Sequence, residues 1–426
     1  MKRFLIALCI TSLMAASFSF AADNSAISDQ LKLTARVLMQ KVPEPTIGSV
    51  GGEWTMIGLA RSTEMVPDSY AAGYYSRVVS ELKGSGGVIT TIKYTEYSRV
   101  ILALTALGYD VKNVGGYDLL EKLADFDAVI RQGINGPVFA LIALDSRSYD
   151  IPIVSEISNR TTRQKLVDYI LERECTAGGV RGGFSLGLQE PQADVTAMAL
   201  QALSKYTSQP RVSAAVDRGI KTLAVLENNA SSSLWNENSA ESAAQIIVAK
   251  SALNIDAKKN VEDLLKFSDN TGGFRNIEKS GFDLMTTEQA FYALAAYERY
   301  LNGWAPLYDM TGEISVVLNG VRLGFDAPPI NADGRVLVPM RAIFEALGAE
   351  VAWDDSARTV TGKTDKHTVS LKIGESSAIL DGNRVPLDAP AQISGNRTMV
   401  PVRFIAESLD AKVNWDSKSS TVYINK

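Results

Sequence analysis

Hydrophobic residues between positions 25 and 303 fall into two alternating kinds of helical segment. Segments of the first kind are apolar almost all the way round and rich in alanine, as in residues 101–107 and 196–203. A helix without a polar face is covered by protein on most sides, so we expect these segments to be inner helices. They begin near six positions: Trp54, Tyr97, Val138, Asp194, Glu241 and Glu288.

Segments of the second kind are amphipathic, with charged residues on the face expected to meet solvent. They cover residues 25–40, 69–83, 117–131, 161–174, 211–227 and 258–268. Six inner and six outer helices in alternation predict an all-α fold for residues 23–303. The predicted architecture is an α/α toroid of about six helix pairs, with parallel inner helices and antiparallel outer helices.

The last part of the chain is one segment written twice. Residues 337–354 recur as residues 399–416, at an offset of 62. A fixed period of this length indicates two copies of one supersecondary unit. The Asn-Gly pair at 319–320 and the Asp-Gly pair at 381–382 each indicate a hairpin.

We therefore expect residues 313–426 to form a smaller α+β domain of two 62-residue repeats. Residues 304–312 interrupt the helical pattern and are predicted to be a linker. Trp353 and Trp415 stand at equivalent positions of the two copies. We expect both to lie in the core, with carbohydrate stacking as the alternative role.

The first residues are typical of a secretory signal. Lys2 and Arg3 precede a mostly apolar run, and small residues follow it near position 21. We predict a signal peptide over residues 1–22, no membrane span after its removal, and a secreted or cell-surface location. The net charge of −5 is not basic enough to suggest nucleic-acid binding.

The scarcity of histidine and cysteine excludes several chemistries. Cys9 lies in the predicted signal, which leaves Cys175 alone in the mature chain; we expect it to be structural. His367 is the only histidine and is expected to face solvent. Histidine-based hydrolase and zinc sites are therefore not supported, and we predict no catalytic set, no metal and no cofactor.

Acidic residues recur where the inner helices begin. If those helices are parallel, these acids gather at one mouth of the toroid. Acids in a first turn are stabilised by the helix dipole by about 0.3–1 kcal/mol each, which explains them structurally. The alternative is an acidic rim around a ligand pocket, with two acids as a less favoured acid/base pair. The candidate ligand-binding residues are Glu53, Trp54, Glu96, Tyr97, Arg99, Asp194, Glu241, Glu288 and Tyr292.

Two segments of the helical part resemble prenyltransferase/squalene-oxidase repeats. Gly182-Gly183-Phe184 precedes residues 194–200, and Gly272-Gly273-Phe274 precedes residues 287–290. The resemblance covers about residues 45–300 and implies the α/α toroid of terpenoid cyclases and protein prenyltransferases. The chain departs from the enzymes of this superfamily: only one acid of the cyclase motif is present, at Asp194, and the zinc ligands and thioester motif are missing.

Residues 312–426 resemble the copper amine oxidase N-terminal-like domain, also called the stalk domain. The resemblance rests on the repeated Val-Pro-x-Arg start and Val-x-Trp-Asp end of each copy. This domain does not carry the copper site of the oxidases, and the histidine ligands for one are absent here.

Together these features favour a non-catalytic binding protein. The toroid would be the recognition module, and the stalk domain a spacer or envelope-interaction module. Expected partners are a cell-wall polymer, a surface protein or a small ligand in the toroid. Two alternatives stay open: an extracellular enzyme that uses mouth carboxylates on a glycan or isoprenoid-like substrate, and a small-ligand carrier resembling cobalamin-binding toroids.

Overall fold

The computed structural model describes most of the chain after residue 25. Residues 1–22, predicted to be the signal peptide, lie outside the described part. No helix among the described residues is long and apolar enough to cross a membrane. The described residues are 26–64, 66–176, 182–187, 190–228, 239–277, 280–319, 321–325, 327–394, 397–417 and 420–426.

The amino-terminal part is helical, as predicted, and each predicted inner segment contains a helix. These inner helices are α2 (Glu53–Arg61), α4 (Thr95–Ala106), α6 (Asn135–Asp145), α8 (Ala193–Leu203), α10 (Ala240–Ala252) and α12 (Leu284–Leu301). They are buried on most sides; in α6, for example, every residue from Gly136 to Leu144 is buried. Their predicted and observed starts differ by a few residues.

The amphipathic segments form the helices that lie between the inner ones. They are α1 (26–41), α3 (Asp68–Gly84), α5 (Phe126–Val129), α7 (Arg163–Leu171), α9 (Pro210–Asn228) and α11 (Lys258–Leu265). The predicted helix over 117–131 is broken into α5 and two 3-10 turns. Asp118 and Asp125 cause the breaks, because each side chain accepts a hydrogen bond from a backbone N–H just after it and restarts the chain as a cap.

The inner helices contact one another in chain order, and the last contacts the first. Helices α2, α4, α6, α8, α10 and α12 each pack on the next, and α12 packs back on α2. The closing contact depends on Gly58 of α2, where a Cβ atom would lie 2.6 Å from the Phe291 ring of α12. One hydrophobic core joins all six inner helices.

Residues 304–312, predicted to be a linker, pack closely on the helical part. Leu307 and Met310 are buried in the helical core. The backbone N–H of Met310 donates to the Ser146 carbonyl over 2.7 Å, and the Lys205 ammonium lies 2.9 Å from the Asp309 carboxylate. This segment is therefore held along its length rather than free.

The carboxy-terminal part contains strands and two short helices, as predicted for an α+β domain. Its strands form three sheets, in the orders β12-β13-β1-β2, β10-β11-β4-β3 and β5-β6-β7-β8-β9. The elements are β1 (Ser315–Leu318), β2 (Val321–Arg322), β3 (Ile330–Ala332), β4 (Arg335–Pro339), α13 (Met340–Ala346), β5 (Glu350–Asp354), β6 (Thr359–Lys363), β7 (Thr368–Lys372), β8 (Ser377–Leu380), β9 (Asn383–Pro386), β10 (Gln392–Ser394), β11 (Arg397–Pro401), α14 (Val402–Ser408), β12 (Lys412–Asp416) and β13 (Thr421–Asn425).

The 62-residue offset of the sequence is repeated in the elements. Adding 62 to the first residues of β1 to β6 and of α13 gives the first residues of β8 to β13 and of α14. Strand β7 alone has no counterpart among the described elements. The two copies meet in the central sheet, where Val338 of β4 pairs with its own equivalent, Val400 of β11.

Each copy completes a sheet of the other copy. Strand β1 of the first copy pairs with β13 of the second copy in parallel. In the other outer sheet, β8 of the second copy joins β6 of the first copy through β7. The hydrophobic core, which includes Ile343, Val360 and Ile405, is therefore built jointly by both copies.

The expected burial of the two repeat tryptophans is wrong. Trp353 retains 40% of its accessible surface and Trp415 retains 37%. Strands β5 and β12, which carry them, lie at the edges of their sheets. An edge strand has a neighbour on one side only, so a large side chain there stays partly in solvent even when its cross-strand partner is buried.

Candidate functional site

The predicted acidic mouth separates into buried and partly exposed carboxylates. Glu53, Glu96, Asp194 and Glu241 lie in the first turns of α2, α4, α8 and α10. Glu288 lies one turn inside α12, because Asp283 caps that helix by accepting from the Thr286 N–H. Glu53 and Glu288 are fully buried, whereas the other three carboxylates are only half-buried.

Glu53 is enclosed by donors from three parts of the helical region. Its Oε1 accepts from the Gly48 N–H over 3.0 Å and from the Tyr74 hydroxyl over 3.2 Å. Its Oε2 lies 3.3 Å from Nε of Arg99. Burial raises the pKa of Glu53 to about 7, although the Arg99 charge opposes the rise.

Glu288 binds the same loop from the other side. Its Oε1 accepts from the Gly51 N–H over 3.0 Å and from the Thr55 hydroxyl. Its Oε2 is buried and has no hydrogen-bond partner among the described residues. Burial raises the pKa of Glu288 to about 7 as well. Both acids therefore hold the loop at 48–52, which Gly51 turns with a φ of +73°.

Glu241, one of the three half-buried acids, is held by a residue of α12. It accepts from the Thr286 hydroxyl over 3.0 Å. Burial raises the pKa of Glu241, and the nearby charges of Asp283 and Asp194 add to the rise. No group of three or more metal-ligating side chains occurs among the described residues.

The aromatic candidates fill the interior of the ring of helices. The Trp54 ring lies 5.7 Å from Phe139 and 5.3 Å from Tyr292, and the Arg99 guanidinium lies 6.0 Å from the Trp54 ring. Tyr97 is directed elsewhere, since its hydroxyl donates to the Thr90 carbonyl over 3.0 Å. The structure thus brings Trp54, Arg99 and Tyr292 close to one another, with Tyr97 engaged separately.

A chain of buried glutamines, not selected from the sequence, crosses three inner helices below these rings. Gln201 donates to the Gln245 carbonyl and side-chain oxygen, each over 3.1 Å. Gln245 donates to Gln289 over 2.9 Å and to the Tyr292 hydroxyl. A polar residue inside an otherwise apolar helix was the available signal. A buried amide needs partners, and each of these supplies the next.

Two buried arginines at the carboxyl ends of inner helices were also not predicted from the sequence. Arg61 ends α2, and Arg299 lies in the last turn of α12. Both form ion pairs with Glu313, the second at 2.8 Å. Arg61 also donates to the carbonyls of Leu307, Pro306 and Asp309 over 2.7, 3.0 and 3.1 Å. We call the three charged residues Arg61, Arg299 and Glu313 the arginine clasp.

Two cavities lie on the clasp side of the ring. The smaller holds about 160 Å³, between the ends of α6, α8 and α10 and residues 306–309. The larger holds about 520 Å³ and is a cleft between the ends of α2 and α4, the clasp, and the carboxy-terminal domain. Both lie away from the amino ends of the inner helices.

Cys175 and His367, for which the sequence predicted no catalytic role, each lie close to polar side chains. Cys175 is buried, and its Sγ lies 3.4 Å from the Ser185 hydroxyl. Burial raises the pKa of this thiol, which disfavours a nucleophilic role. His367 is partly exposed, and its ring nitrogens lie 2.8 Å from the Asp381 carboxylate and 3.3 Å from that of Asp410.

A comparison against known families found a match within the carboxy-terminal part. Residues 317–424 match the family described as copper amine oxidase N-terminal domain. The carboxy-terminal domain is a copper amine oxidase N-terminal-like domain. This confirms the resemblance for that part of the chain.

One curated relative shares part of its sequence with this chain. It is a Brevibacillus choshinensis protein named protease inhibitor, 32% identical over 112 residues. The match covers 26% of this chain and 34% of the relative. The chain therefore spans about a third of the length of that relative, and the name describes the relative only.

Proposed function

We propose that this chain is a secreted or cell-surface binding protein without catalytic activity. In this proposal residues 23–303 form an α/α toroid of the prenyltransferase/squalene-oxidase type. The copper amine oxidase N-terminal-like domain binds an envelope glycan, and the toroid is the module that faces a further ligand. The closed series of contacts from α2 through α12 and back to α2 supports the toroid.

The exposure of Trp353 and Trp415 carries the envelope-binding part of the proposal. Their exposed fractions of 40% and 37% leave a large part of each side chain in solvent. An indole combines a large apolar face with a polar N–H, and the N–H of Trp353 lies 3.4 Å from the Asp355 carboxylate. A sugar ring offers matching apolar faces and hydroxyl groups.

The positions of the two tryptophans favour a repeating ligand. They are equivalent residues of two copies, on the two edge strands β5 and β12. A polymer that engages both gains affinity from the second contact because that contact is intramolecular. A cell-wall glycan has such a repeating structure, whereas a small soluble ligand would use one tryptophan at a time.

The state of the mouth carboxylates weighs against an enzyme. Glu53 and Glu288 have pKa values raised to about 7, as a general acid requires. Both are fully buried, however, and each accepts a hydrogen bond from the loop at 48–52. A substrate would have to displace that loop to reach either acid.

Binding of residues 23–426 to purified cell wall tests the proposal. We expect Trp353→Ala and Trp415→Ala each to weaken binding about tenfold, and the double variant to abolish it. Ile379→Ala removes an exposed apolar side chain of the same domain, 42% exposed, and should bind like the parent chain. Soluble wall oligosaccharides should compete. Unchanged binding by the double variant would refute the proposal.

A further inference from the structure

The cleft between the helical part and the carboxy-terminal domain has the dimensions of a small-molecule site. Its volume of about 520 Å³ falls within the roughly 300–1,000 Å³ typical of ligand pockets. Neither Trp353 nor Trp415 lines it. The cleft is therefore independent of the surface to which we assign glycan binding.

Apolar side chains from both domains form the walls of the cleft. Leu59, Val66 and Leu107 line it from the helical part. Val317, Leu323 and Phe325 line it from the other domain. All but Leu59 and Leu107 are only half-buried, so part of this apolar surface remains available for a ligand with an apolar body.

The arginine clasp forms the floor but offers little to a ligand. Arg61 already donates to three carbonyls and to Glu313, and Arg299 donates to the Ala305 and Arg61 carbonyls over 2.6 and 3.2 Å. The Arg299 guanidinium also lies 5.9 Å from the Trp304 ring. These cations are engaged within the protein, so an anionic ligand would find no ready partner there.

Among the described residues that line the cleft, Glu64 is the charged group that lacks such engagement. Its side chain is half-buried and lines the cleft beside Ser62 and Thr63. Lys32 and Arg36 act on it only at a distance, and no described residue forms an ion pair with it. Burial raises the pKa of Glu64, although the charges of Lys32 and Arg36 oppose the rise.

We propose that this cleft binds a small amphipathic amine, with its apolar body between the two domains and its ammonium group on Glu64. A charge-assisted hydrogen bond to a partly desolvated carboxylate is stronger than a neutral one. It would supply the ion pair that no described residue forms with Glu64. A carboxylate ligand of the same shape would be repelled, and an alcohol would keep only the apolar contact.

Three eight-carbon probes separate these contributions. Calorimetric titration of residues 23–426 at pH 8 with octylamine, octanol and octanoate compares a positive, a neutral and a negative head group on one apolar body. We expect saturable one-to-one binding of octylamine, at least tenfold weaker binding of octanol and the weakest binding of octanoate. Octylamine should also raise the unfolding midpoint, because it binds the folded state.

Two substitutions locate the site. Glu64→Gln keeps the shape of the side chain and should weaken octylamine about tenfold while leaving octanol unchanged. Phe325→Ala should weaken both probes. The matched controls are Glu81→Gln and Ile153→Ala, which change exposed residues that do not line the cleft.

Three outcomes would overturn the proposal. They are the absence of saturable octylamine binding, octanoate binding as tight as octylamine binding, and equal octylamine affinity in Glu64→Gln and Glu81→Gln. Wall binding by the same variants is measured separately, so failure here and failure of the glycan proposal are distinguishable.

Discussion

Helices α2 and α12 carry buried charges at both ends, and the two ends are used differently. At the amino ends, Glu53 and Glu288 accept hydrogen bonds from the loop at 48–52, within the helical part. At the carboxyl ends, Arg61 and Arg299 donate to residues 305–313, which lead to the next domain. Both signs agree with the helix dipole, so the dipole alone does not explain the difference.

The two ends differ in how many hydrogen-bond partners their buried charged side chains have. Arg61 has four acceptors, whereas Glu288 leaves one buried oxygen without a partner among the described residues. The pKa of Glu288 is raised to about 7, so the amino end changes its charge near neutral pH. Burial and the neighbouring Arg61 lower the pKa of Arg299 to about 9, which still leaves the clasp charged at neutral pH.

The largest expected effect comes from breaking the carboxyl end. Glu313→Gln leaves two buried guanidinium groups close together without a carboxylate. Removing one partner of a buried ion pair costs about 3–5 kcal/mol. We expect a loss of this size in the free energy of the urea transition monitored by tryptophan fluorescence, since Trp304 lies against Arg299.

Glu345→Gln is the matched control for this change. Glu345 is exposed on α13, outside the clasp. It should alter the free energy of unfolding by less than about 0.5 kcal/mol. Equal stability of the two variants would mean that the clasp contributes nothing.

The next largest effect is expected at the amino end, where the stability contributed by Glu288 depends on pH. The pKa of Glu288 is about 7 in the folded chain against an ordinary value of 4.5, so folding takes up a proton between these values. The stabilisation is complete below pH 4.5 and is lost as the pH rises through 7. Glu288→Gln should therefore stabilise the protein at pH 8.5, by up to about 3 kcal/mol, and have little effect at pH 4.

Urea unfolding at the two pH values, with exposed Glu81→Gln alongside, measures this effect. The control should show no pH-dependent gain. A loss of stability in Glu288→Gln at pH 8.5 would show that the ionised carboxylate is needed, and would contradict the raised pKa of this carboxyl group.

A smaller effect is expected where the ring of inner helices closes, at the contact between α2 and α12. Gly58→Ala places a Cβ atom 2.6 Å from the Phe291 ring, where α2 meets α12. Overpacking costs about 1–3 kcal/mol, of which the better helix propensity of alanine recovers up to about 1 kcal/mol. We expect a net loss of about 1 kcal/mol in thermal unfolding.

Gly84→Ala is the counterpart without a close neighbour. Gly84 ends α3, and nothing lies within 4 Å of the position that an alanine methyl group would take there. That change should be neutral or slightly stabilising. If Gly58→Ala behaves in the same way, α2 and α12 do not pack as closely as described.

The smallest effect concerns an exposed charge network, in contrast to the two buried ends. Asp381 and Asp410 raise the pKa of His367 above 6.5. The contribution of this network is therefore present below pH 6.5 and is lost as the pH rises through the raised value. Amide exchange at Thr368, whose N–H donates to Asp381 over 2.8 Å, should quicken over that range. His367→Asn should abolish the part of this pH dependence that exceeds the base catalysis common to all amides.

The sequence was sufficient to predict most of the helices of the amino-terminal part and the duplicated α+β character of the second domain. An apolar helix surface of the kind seen at 196–203 is a local signal of burial. The offset of 62 carries over to the elements of the second domain because equal sequences with equal partners fold alike. The break at Asp118 and Asp125 was missed because two local caps overrode the amphipathic pattern.

The candidate site could not be predicted to the same extent. Glu53 and Glu96 both lie in the first turn of an inner helix, yet only Glu53 is covered by the loop at 48–52. That loop contacts α2 and α12, which are distant in sequence. The exposure of Trp353 likewise depends on β5 being at an edge, which is decided by the order of strands and not by their alternation.

The exchange of hairpins between the two copies has a consequence for a shorter chain. A polypeptide carrying one copy would leave its β1–β2 hairpin without the strand that the other copy supplies, and β4 without its central neighbour. Two such polypeptides could supply these strands to each other around the axis between Val338 and Val400. The pairing surfaces of a single repeat are therefore complementary to those of a second, identical repeat, and we expect a single repeat to assemble as a homodimer.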